Sequence, residues 1–409
     1  MSSFHKNDAV IVSIARSPIG RARKGSLTGM RGDDMAAQMV RAALDQVPEL
    51  DTHDLYDMMM GCGQPGGENG FNVGRIVAEI LDMDWVPATT VQRYCASSLQ
   101  TSRMAFHAIK AGEGDAFISA GVEAVSRFHK GTPDSWPHTK NPIFAEGAER
   151  TQSLARGEGT WSEPREQGLR PDAYVSMGQT AENVAQFLGI SRQEQDQWAV
   201  QSQNRAEAAI RAGFYEREIT PLTLPDGTVV AQDDSPRFGT TIEAVSQLKP
   251  VFRENGTVTA GNACPLNDGA AASVIVSGAK AKQLGLKPLA RIVSTGVSSL
   301  SPEIMGLGPI EASKQALVHA GMTMKDIDLV EINEAFAAQV IGCARELGLG
   351  EDRLNINGGA IAVGHPYGMT GVRIMATLLN GLEFTDKQYG LETMCTAGGQ
   401  GMAMIFERL

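Results

Sequence analysis

Apolar residues recur along the chain with two spacings, and the spacings alternate. Short, largely apolar runs such as AVIVSIARSP (Ala9 to Pro18), LYDMMMGCG (Leu55 to Gly63), ATTVQRY (Ala88 to Tyr94) and DAFISAG (Asp115 to Gly121) read as buried strands. Between them lie segments with helical periodicity. These are Asp33 to Val47, with Asp33 or Asp34 placed to cap it, Asn72 to Leu81, and a helix beginning near Cys95 in CASSLQTSRMAFHAIKAG. Strands alternating with helices predict an α/β fold with parallel pairing and helices on both faces of the sheet.

The second half repeats the plan. A strand at Ala290 to Ser299 precedes a helix at Pro309 to Ala320, and a strand at Ile327 to Ala335 runs into a helix ending near Leu347. After a glycine-rich bend at His365 come a helix to about Leu382 and the strands YGLETMC and GMAMIFER. Periodicity fails from Phe128 to about Gln167, where Pro, Trp, His, Arg and Glu accumulate as an inserted loop region. Helices at Gln179 to Leu188 and Ser191 to Ala212 follow, the second opened by the capping box Ser191-x-x-Glu194, before the strand AASVIVSG resumes the sheet. The expected division is residues 1–123 with 257–279, an insertion at 124–256, and residues 280–409.

Cys95 and His365 occupy the same point of the repeat, each at a bend before a helix. If the two copies pack about a pseudo-twofold axis, these bends face each other and share one pocket.

Composition narrows the chemistry. The chain has 409 residues, enough for two or three domains, with 42% hydrophobic and 20% charged residues, as in soluble globular proteins. A net charge of −11 argues against nucleic-acid binding, and an anionic ligand would need local cations. The N-terminus, MSSFHKNDAVIVSIARSP, has neither the signal-peptide nor the membrane-anchor pattern, and FERL is no peroxisomal address. Five cysteines, an odd number without a C-x-x-C pair, fit free thiols in a reducing compartment, so a cytoplasmic location is expected. No cluster has metal-ligand spacing apart from residues with other roles, so no metal is expected.

Gly61-x-Gly63-x-x-Gly66 formally matches a dinucleotide fingerprint, with Asp82 or Asp84 as the ribose acid. The glycines run on through GGENGFN and the next helix does not open on the third of them, so a plain glycine-rich loop describes the stretch better.

A cysteine at a helix N-terminus has its thiolate stabilised by the dipole and by unpaired N–H groups, which lowers its pKa. Cys95 with His365 as its base is thus a Cys–His pair for acyl transfer, although a small packing thiol is the commoner fate of a free cysteine. Cys62 and Cys343 read as inert. Cys395 ends a strand and enters CTAGGQG, where a thiol can exchange a proton with a carbon acid and backbone N–H groups can hold an oxyanion. Asn333, in NEAF at a strand's C-terminal end, can anchor a water that donates to an oxyanion; a structural bond to the backbone fits it equally well.

The stretches QRYCASSLQ, SAGVEAVSR, MGQTAENVA, GNACPLNDGA, EINEAFAAQV, NINGGAIAVGHPYGMTG and CTAGGQG, in this order, resemble the thiolase family of acetyl-CoA acyltransferases over essentially the whole chain. The resemblance implies a five-layered αβαβα core of two similar halves, with an inserted loop domain that binds CoA. It implies cleavage of a 3-ketoacyl-CoA by CoA to acetyl-CoA and a shortened acyl-CoA, or the reverse Claisen condensation. It further implies that no cofactor is held permanently, that coenzyme A is a substrate, and that the assembly is a homodimer or homotetramer.

By the same resemblance, Cys95 is the acylated nucleophile, His365 its base and Cys395 the acid/base for the α-proton. Asn333, through a water, and His365 form one oxyanion hole, and the N–H groups of Cys95 and Ala397 the other. Gln203, Arg237, Met177, Ala263 and Cys264 correspond to CoA contacts, while Phe336 and Met305 border the acyl pocket, with the segment Phe128 to Gln167 shaping the acyl tunnel.

Departures from the family pattern are Ala397 for the first of three glycines, Gln92 for Asn, Ser98 for Gly, Cys264 for the serine of GNAS, and Ser176 for a histidine. Ala397 would cost about 1 kcal/mol if its backbone needed positive φ. The rivals are a decarboxylating ketoacyl synthase, which uses two histidines where NEAF here supplies Asn333, and a non-catalytic thiolase-like lipid-binding protein, which generally lacks a reactive residue.

Overall fold

The computed structural model describes residues 4–131 and 139–409; residues 132–138, within the segment expected to shape the acyl tunnel, lie outside the described residues. The first half runs β1 (Ala9–Arg16), α1 (Gly32–Asp45), β2 (Asp57–Cys62), α2 (Val73–Ile80), β3 (Ala88–Val91), α3 (Ser97–Ala111) and β4 (Ala116–Ala124). The inserted helices α4 (Ala145–Ala155), α5 (Met177–Phe187) and α6 (Arg192–Arg211) precede β5 (Asn267–Ser277), which completes that half. The second half runs β6 (Ala290–Ser299), α7 (Gly308–Ala320), β7 (Leu329–Ile332), α8 (Ala337–Leu347), the single turn α9 (Ala360–Val363), α10 (Thr370–Phe384), β8 (Tyr389–Thr396) and β9 (Gln400–Arg408).

Both halves build the same strand order. In the first it is β3-β2-β4-β5-β1; in the second it is β7-β8-β9-β6, with Leu354 pairing outside Val330 in the place β3 holds. The halves join where β1 meets β6 through Val10↔Arg291 and Ile11↔Ala290, which makes a continuous ten-stranded sheet when the short Gly20–Arg21 strand is included. Pairing is mixed rather than parallel as expected. Among the named strands of the described residues, only β2–β3, β2–β4 and β7–β8 run parallel, and β4–β5, β5–β1, β8–β9 and β9–β6 are antiparallel. Between β8 and β9 lie only residues 397–399, too few for the crossover that a parallel pair requires.

Five layers result. Successive strand residues point to opposite faces; Met58 and Met60 pack with α1 and α2, whereas Met59 faces the centre of the molecule. There, Leu99 and Ile109 of α3 and Val372, Met375 and Leu378 of α10 meet strands of both halves, among them Phe117, Ile275, Met394 and Phe406. On the far side, α7 and α8 pack on Val330, Ile332 and Ile405 together with Val184 and Trp198 of the insertion. The two central helices start against each other. A Cβ on Gly371 would lie 2.2 Å from the Leu99 nitrogen, and Ser98 Oγ accepts the N–H of Val372 at 3.1 Å. Ser98 thereby satisfies a first-turn donor of α10 from the neighbouring helix. The two bends therefore face each other.

Three local expectations change. Neither Asp33 nor Asp34 caps α1: Arg31 is the N-cap residue and Asp33 instead pairs with its guanidinium at 2.6 Å. The aperiodic insertion contains α4, whose sequence AEGAERTQSLA is polar because the helix fully buries only Gly147, which hides a helical period. The strand expected at AASVIVSG starts earlier, at Asn267, and extends through small residues buried on both faces. The capping box at Ser191 is present in both directions.

Candidate active site

Cys95 lies in the single turn Tyr94–Ala96 that joins β3 to α3. Tyr94 turns the chain in the left-handed region, φ 42°, at a cost of about 1–3 kcal/mol for a residue of its kind. Ser97 holds the turn, donating to the Tyr94 carbonyl at 2.6 Å and accepting the Arg93 N–H at 2.9 Å. Contrary to the expectation from sequence, the thiol is not acidified by its helix but pushed up to about 12. Burial is the main cause and the Glu123 carboxylate adds to it, against the opposing amides of Cys95 and Ala397. Desolvation of the charged form exceeds the dipole because the residue is only 6% exposed.

His365 is held at its backbone N–H and at both ring nitrogens. Its N–H donates to Asn267 Oδ1 at 2.9 Å. Nδ1 lies 2.6 Å from Thr370 Oγ1, whose single proton goes to the Pro366 carbonyl at 2.7 Å. The hydroxyl must therefore accept from Nδ1–H, which leaves Nε2 as the unprotonated, basic nitrogen. Nε2 faces Asn333 Nδ2 at 3.3 Å. Asn333 Oδ1 is buried without a protein partner, and the tautomer fixes the amide orientation, since only the NH₂ end suits a bare Nε2. Burial, then the Arg373 charge, lowers the imidazole to about 3. Thiol and imidazole are thus both neutral at pH 7.

The Tyr94–Ala96 turn packs on the Tyr367–Met369 turn that follows His365 and on β8, which carries Cys395. Tyr367 lies edge-to-face on the His365 ring, with centroids 5.2 Å apart. Cys395 is fully buried, and its thiol is raised first by desolvation and then by neighbouring Cys95. The amide of Ala397 faces the Cys95 sulfur. Ala397 itself has ordinary φ, and the positive φ of the turn is carried by Gly398 (80°) and Gly399 (78°), so the alanine brings no backbone strain.

Most of the residues matched to CoA and acyl contacts surround Cys395. Met305, Phe336, Met177 and Ala263 form one apolar cluster with it. Ala263 pairs with Phe336 through the backbone, and the half-buried Cys264 donates its N–H to the Ala335 carbonyl at 3.1 Å. Gln203 and Arg237 meet differently. The Gln203 amide donates to Ile361 O at 3.2 Å and accepts the Arg237 N–H at 2.8 Å, so both its ends are engaged within the protein, while the Arg237 side chain is exposed. Gln92 donates to the Gly63 carbonyl at 3.3 Å. Ser176 is an exposed N-cap residue of α5 without a side-chain cap bond. Gly61, the first glycine of the discounted fingerprint, gives α3 room: its Cβ would lie 2.5 Å from the Ser98 nitrogen.

Several supporting residues were not singled out from the sequence. Glu334 is buried and receives Trp198 Nε1 (3.1 Å), Ser202 Oγ (2.6 Å), Asn355 Nδ2 (3.0 Å) and the Ile361 N–H (3.2 Å). It ties α6 of the insertion to the strand end beside Asn333 and to the segment leading to His365. Arg93 donates to Gln400 Oε1 at 2.9 Å, and Gln400 Nε2 reaches the Ala397 carbonyl at 3.4 Å, which links the turn of Cys95 to the loop of Cys395. The only local signal for such groups was an acid or base inside an otherwise apolar run, as with Glu123 in AFISAGVEA.

Residues 9–279 match the family described as "Thiolase, N-terminal domain" and residues 286–408 "Thiolase, C-terminal domain". The chain is 42% identical to a "Beta-ketoadipyl-CoA thiolase" of Acinetobacter baylyi (strain ATCC 33305 / BD413 / ADP1), covering 98% of this chain and 99% of that one. It is 42% identical to a "3-ketoacyl-CoA thiolase" of Serratia proteamaculans (strain 568), covering 98% and 100%. Among solved structures, the acetyl-CoA acetyltransferase of Bacillus anthracis superposes with a TM-score of 0.85 at 33% identity over 100% of both chains. Human mitochondrial 3-ketoacyl-CoA thiolase gives 0.84 at 32% identity over 99% of this chain and 100% of that one.

Proposed function

The chain belongs to the thiolase family, and from that premise we propose that it cleaves 3-ketoacyl-CoA esters with CoA, or condenses acyl-CoAs in reverse, through an acyl-Cys95 intermediate. The observation that carries this reading is His365: a buried, neutral imidazole whose Nδ1 proton is fixed on Thr370, leaving Nε2 as a base at the junction of the two bends. In the cleavage direction, the Cys95 sulfur attacks the 3-keto carbon as its proton passes to Nε2. The bond between C2 and C3 then breaks, and the acetyl-CoA enolate takes a proton from Cys395. Free CoA attacks the acyl-Cys95 thioester as its thiol proton passes to the Cys395 thiolate, and the Cys95 sulfur leaves, taking back the proton held on Nε2, with the shortened acyl-CoA formed. Because thiol and imidazole start neutral, proton transfer accompanies attack instead of preceding it.

The thioester oxygens would be held by the amides of Cys95 and Ala397 and by the pair His365 and Asn333, with Asn333 Oδ1 able to accept from a water that donates to the oxyanion. Met177, Ala263 and Cys264 would line the pantetheine path, and Met305 and Phe336 the acyl pocket. Arg237 would meet the nucleotide phosphates, with Gln203 setting the position of its backbone. This assigns the two halves to residues 1–123 with 257–279 and to 280–409, and CoA binding to the insertion at 124–256. Two obligatory free thiols suit a reducing compartment, the cytoplasm, and a homodimer or homotetramer is the proposed assembly. No helix among the described residues is long and apolar enough to cross a membrane.

A panel of 3-ketoacyl-CoA esters, from acetoacetyl-CoA through longer chains to 3-ketoadipyl-CoA, tests the reading. CoA-dependent formation of acetyl-CoA with an equimolar shortened acyl-CoA is expected from at least one of them. Release of CO₂ from malonyl thioesters with no thiolysis would favour the decarboxylating alternative, and no turnover at all a non-catalytic one.

A further inference from the structure

Glu123 stands near the end of β4 with its side chain fully buried. Its Oε2 accepts the N–H of Gly63 at 2.8 Å and the N–H of Gly368 at 2.9 Å. Its Oε1 accepts the N–H of Gln64 at 3.2 Å and lies 3.8 Å from Cys62 Sγ. Gly63 and Gln64 belong to the loop after β2, in the first half; Gly368 belongs to the turn after His365, in the second. One carboxylate therefore grips both halves at the point where their bends meet.

The backbone around this junction is closely packed. A Cβ at Gly121 would come within 2.0 Å of the Gly368 carbonyl, and one at Gly368 within 2.2 Å of the Val122 carbonyl. A Cβ at Gly63 would meet Tyr367 Cβ at 2.7 Å and the Tyr94 carbonyl at 3.3 Å, which places the same loop against the turn that carries Cys95. The loop and turn amides are buried donors that need an acceptor, and Glu123 is the one supplied.

We propose that Glu123 is a positioning residue for acyl transfer, its carboxylate fixing the His365 bend of one half against the Cys95 bend of the other. It does not touch the reacting atoms and acts through the Gly368 turn. This rests on the acyl-transfer reading above, and its test is read partly on a reaction that needs no thiolase turnover.

The test compares wild type, Glu123→Gln and Glu123→Asp in steady-state thiolysis and in the pH dependence of Cys95 alkylation by iodoacetamide. Glutamine turns one acceptor oxygen into a donor among buried N–H groups and removes the charge. We expect kcat to fall about 10- to 100-fold, as a displaced catalytic pair requires, with KM held within about threefold.

The alkylation midpoint should fall, because Glu123 is the carboxylate whose charge raises the Cys95 thiol. The other groups in electrostatic reach of Cys95, namely Cys264, Cys395 and Tyr367, are unchanged in the variant. Glu123→Asp keeps the charge but shortens the reach, so the midpoint should return towards wild type while kcat stays depressed. A Glu123→Gln kcat within about twofold of wild type, or a loss matched by unfolding with the midpoint unmoved, would overturn the assignment.

If Glu123→Gln does not fold, amide exchange of the wild type decides: slow exchange is expected at Gly63, Gln64 and Gly368 together, and fast exchange at Gly368 refutes the grip. A wild type without thiolysis but with a shifted variant midpoint would instead remove the acyl-transfer reading and leave the Glu123–Cys95 coupling.

Discussion

Replacing His365 with glutamine is expected to lower thiolysis by about 10⁴-fold or more, the combined scale of a lost general base and a lost oxyanion donor. The expectation follows from the fixed tautomer. Thr370 takes the Nδ1 proton and passes its own to Pro366, so the structure presents only Nε2 as a base. A glutamine amide has no basic nitrogen. Fold should survive, because the backbone N–H bond from this residue to Asn267 does not depend on the ring. The measurement is kcat/KM for the best ester in the panel, alongside the melting temperature. A melting temperature near wild type with a rate loss under about tenfold would show that another group deprotonates Cys95.

Cys395→Ala should separate the two half-reactions. Acetyl-CoA should still acylate Cys95, since that step uses His365 and the Ala397 amide, whose turn keeps its conformation through Gly398 and Gly399. Exchange of the acetyl-CoA α-protons with D₂O should fall by about 10²- to 10⁴-fold, the usual contribution of a positioned acid/base. Proton NMR of acetyl-CoA in D₂O reads the second step, and exchange of labelled CoA into acetyl-CoA the first. Exchange of α-protons at the wild-type rate would take Cys395 out of the mechanism. Its raised thiol suits proton return to a carbanion, because the neutral form holds the proton to be given and deprotonation is costly in the buried site.

The parts of this site that could be read from sequence are those whose chemistry is local. The bend at His365 needs Gly364, which adopts φ 113°, and the loop after Cys395 needs Gly398 and Gly399, so glycines marked both places. The repeat placed Cys95 and His365 at equivalent bends, and close packing of Gly371 on Leu99 realises that equivalence. Strand direction was less legible. Apolar runs looked alike in β4 and β5, and nothing in either states that they pair antiparallel across an insertion.

The state of Cys95 was not legible either. The helix start is a local feature and argued for an acidic thiol, whereas the burial that outweighs it comes from elements far away in sequence. Glu123 and Glu334 escaped for a related reason. A single acid in an apolar run declares that it has partners without saying which, and here the partners are backbone amides of both halves for one and helix α6 for the other. The polar helix α4 hid because it fully buries only Gly147 and so has little apolar stripe to show.

At the centre of the mechanism, two distant bends present one sulfur to a thioester. Incubation with a 3-ketoacyl-CoA without free CoA, followed by acid quench and peptide mass spectrometry, tests this most directly. The result expected is a single acyl group on the peptide containing Cys95, discharged when CoA is added. An acyl group on Cys395 or Cys264, or none on any cysteine of enzyme that turns over once CoA is supplied, would contradict it.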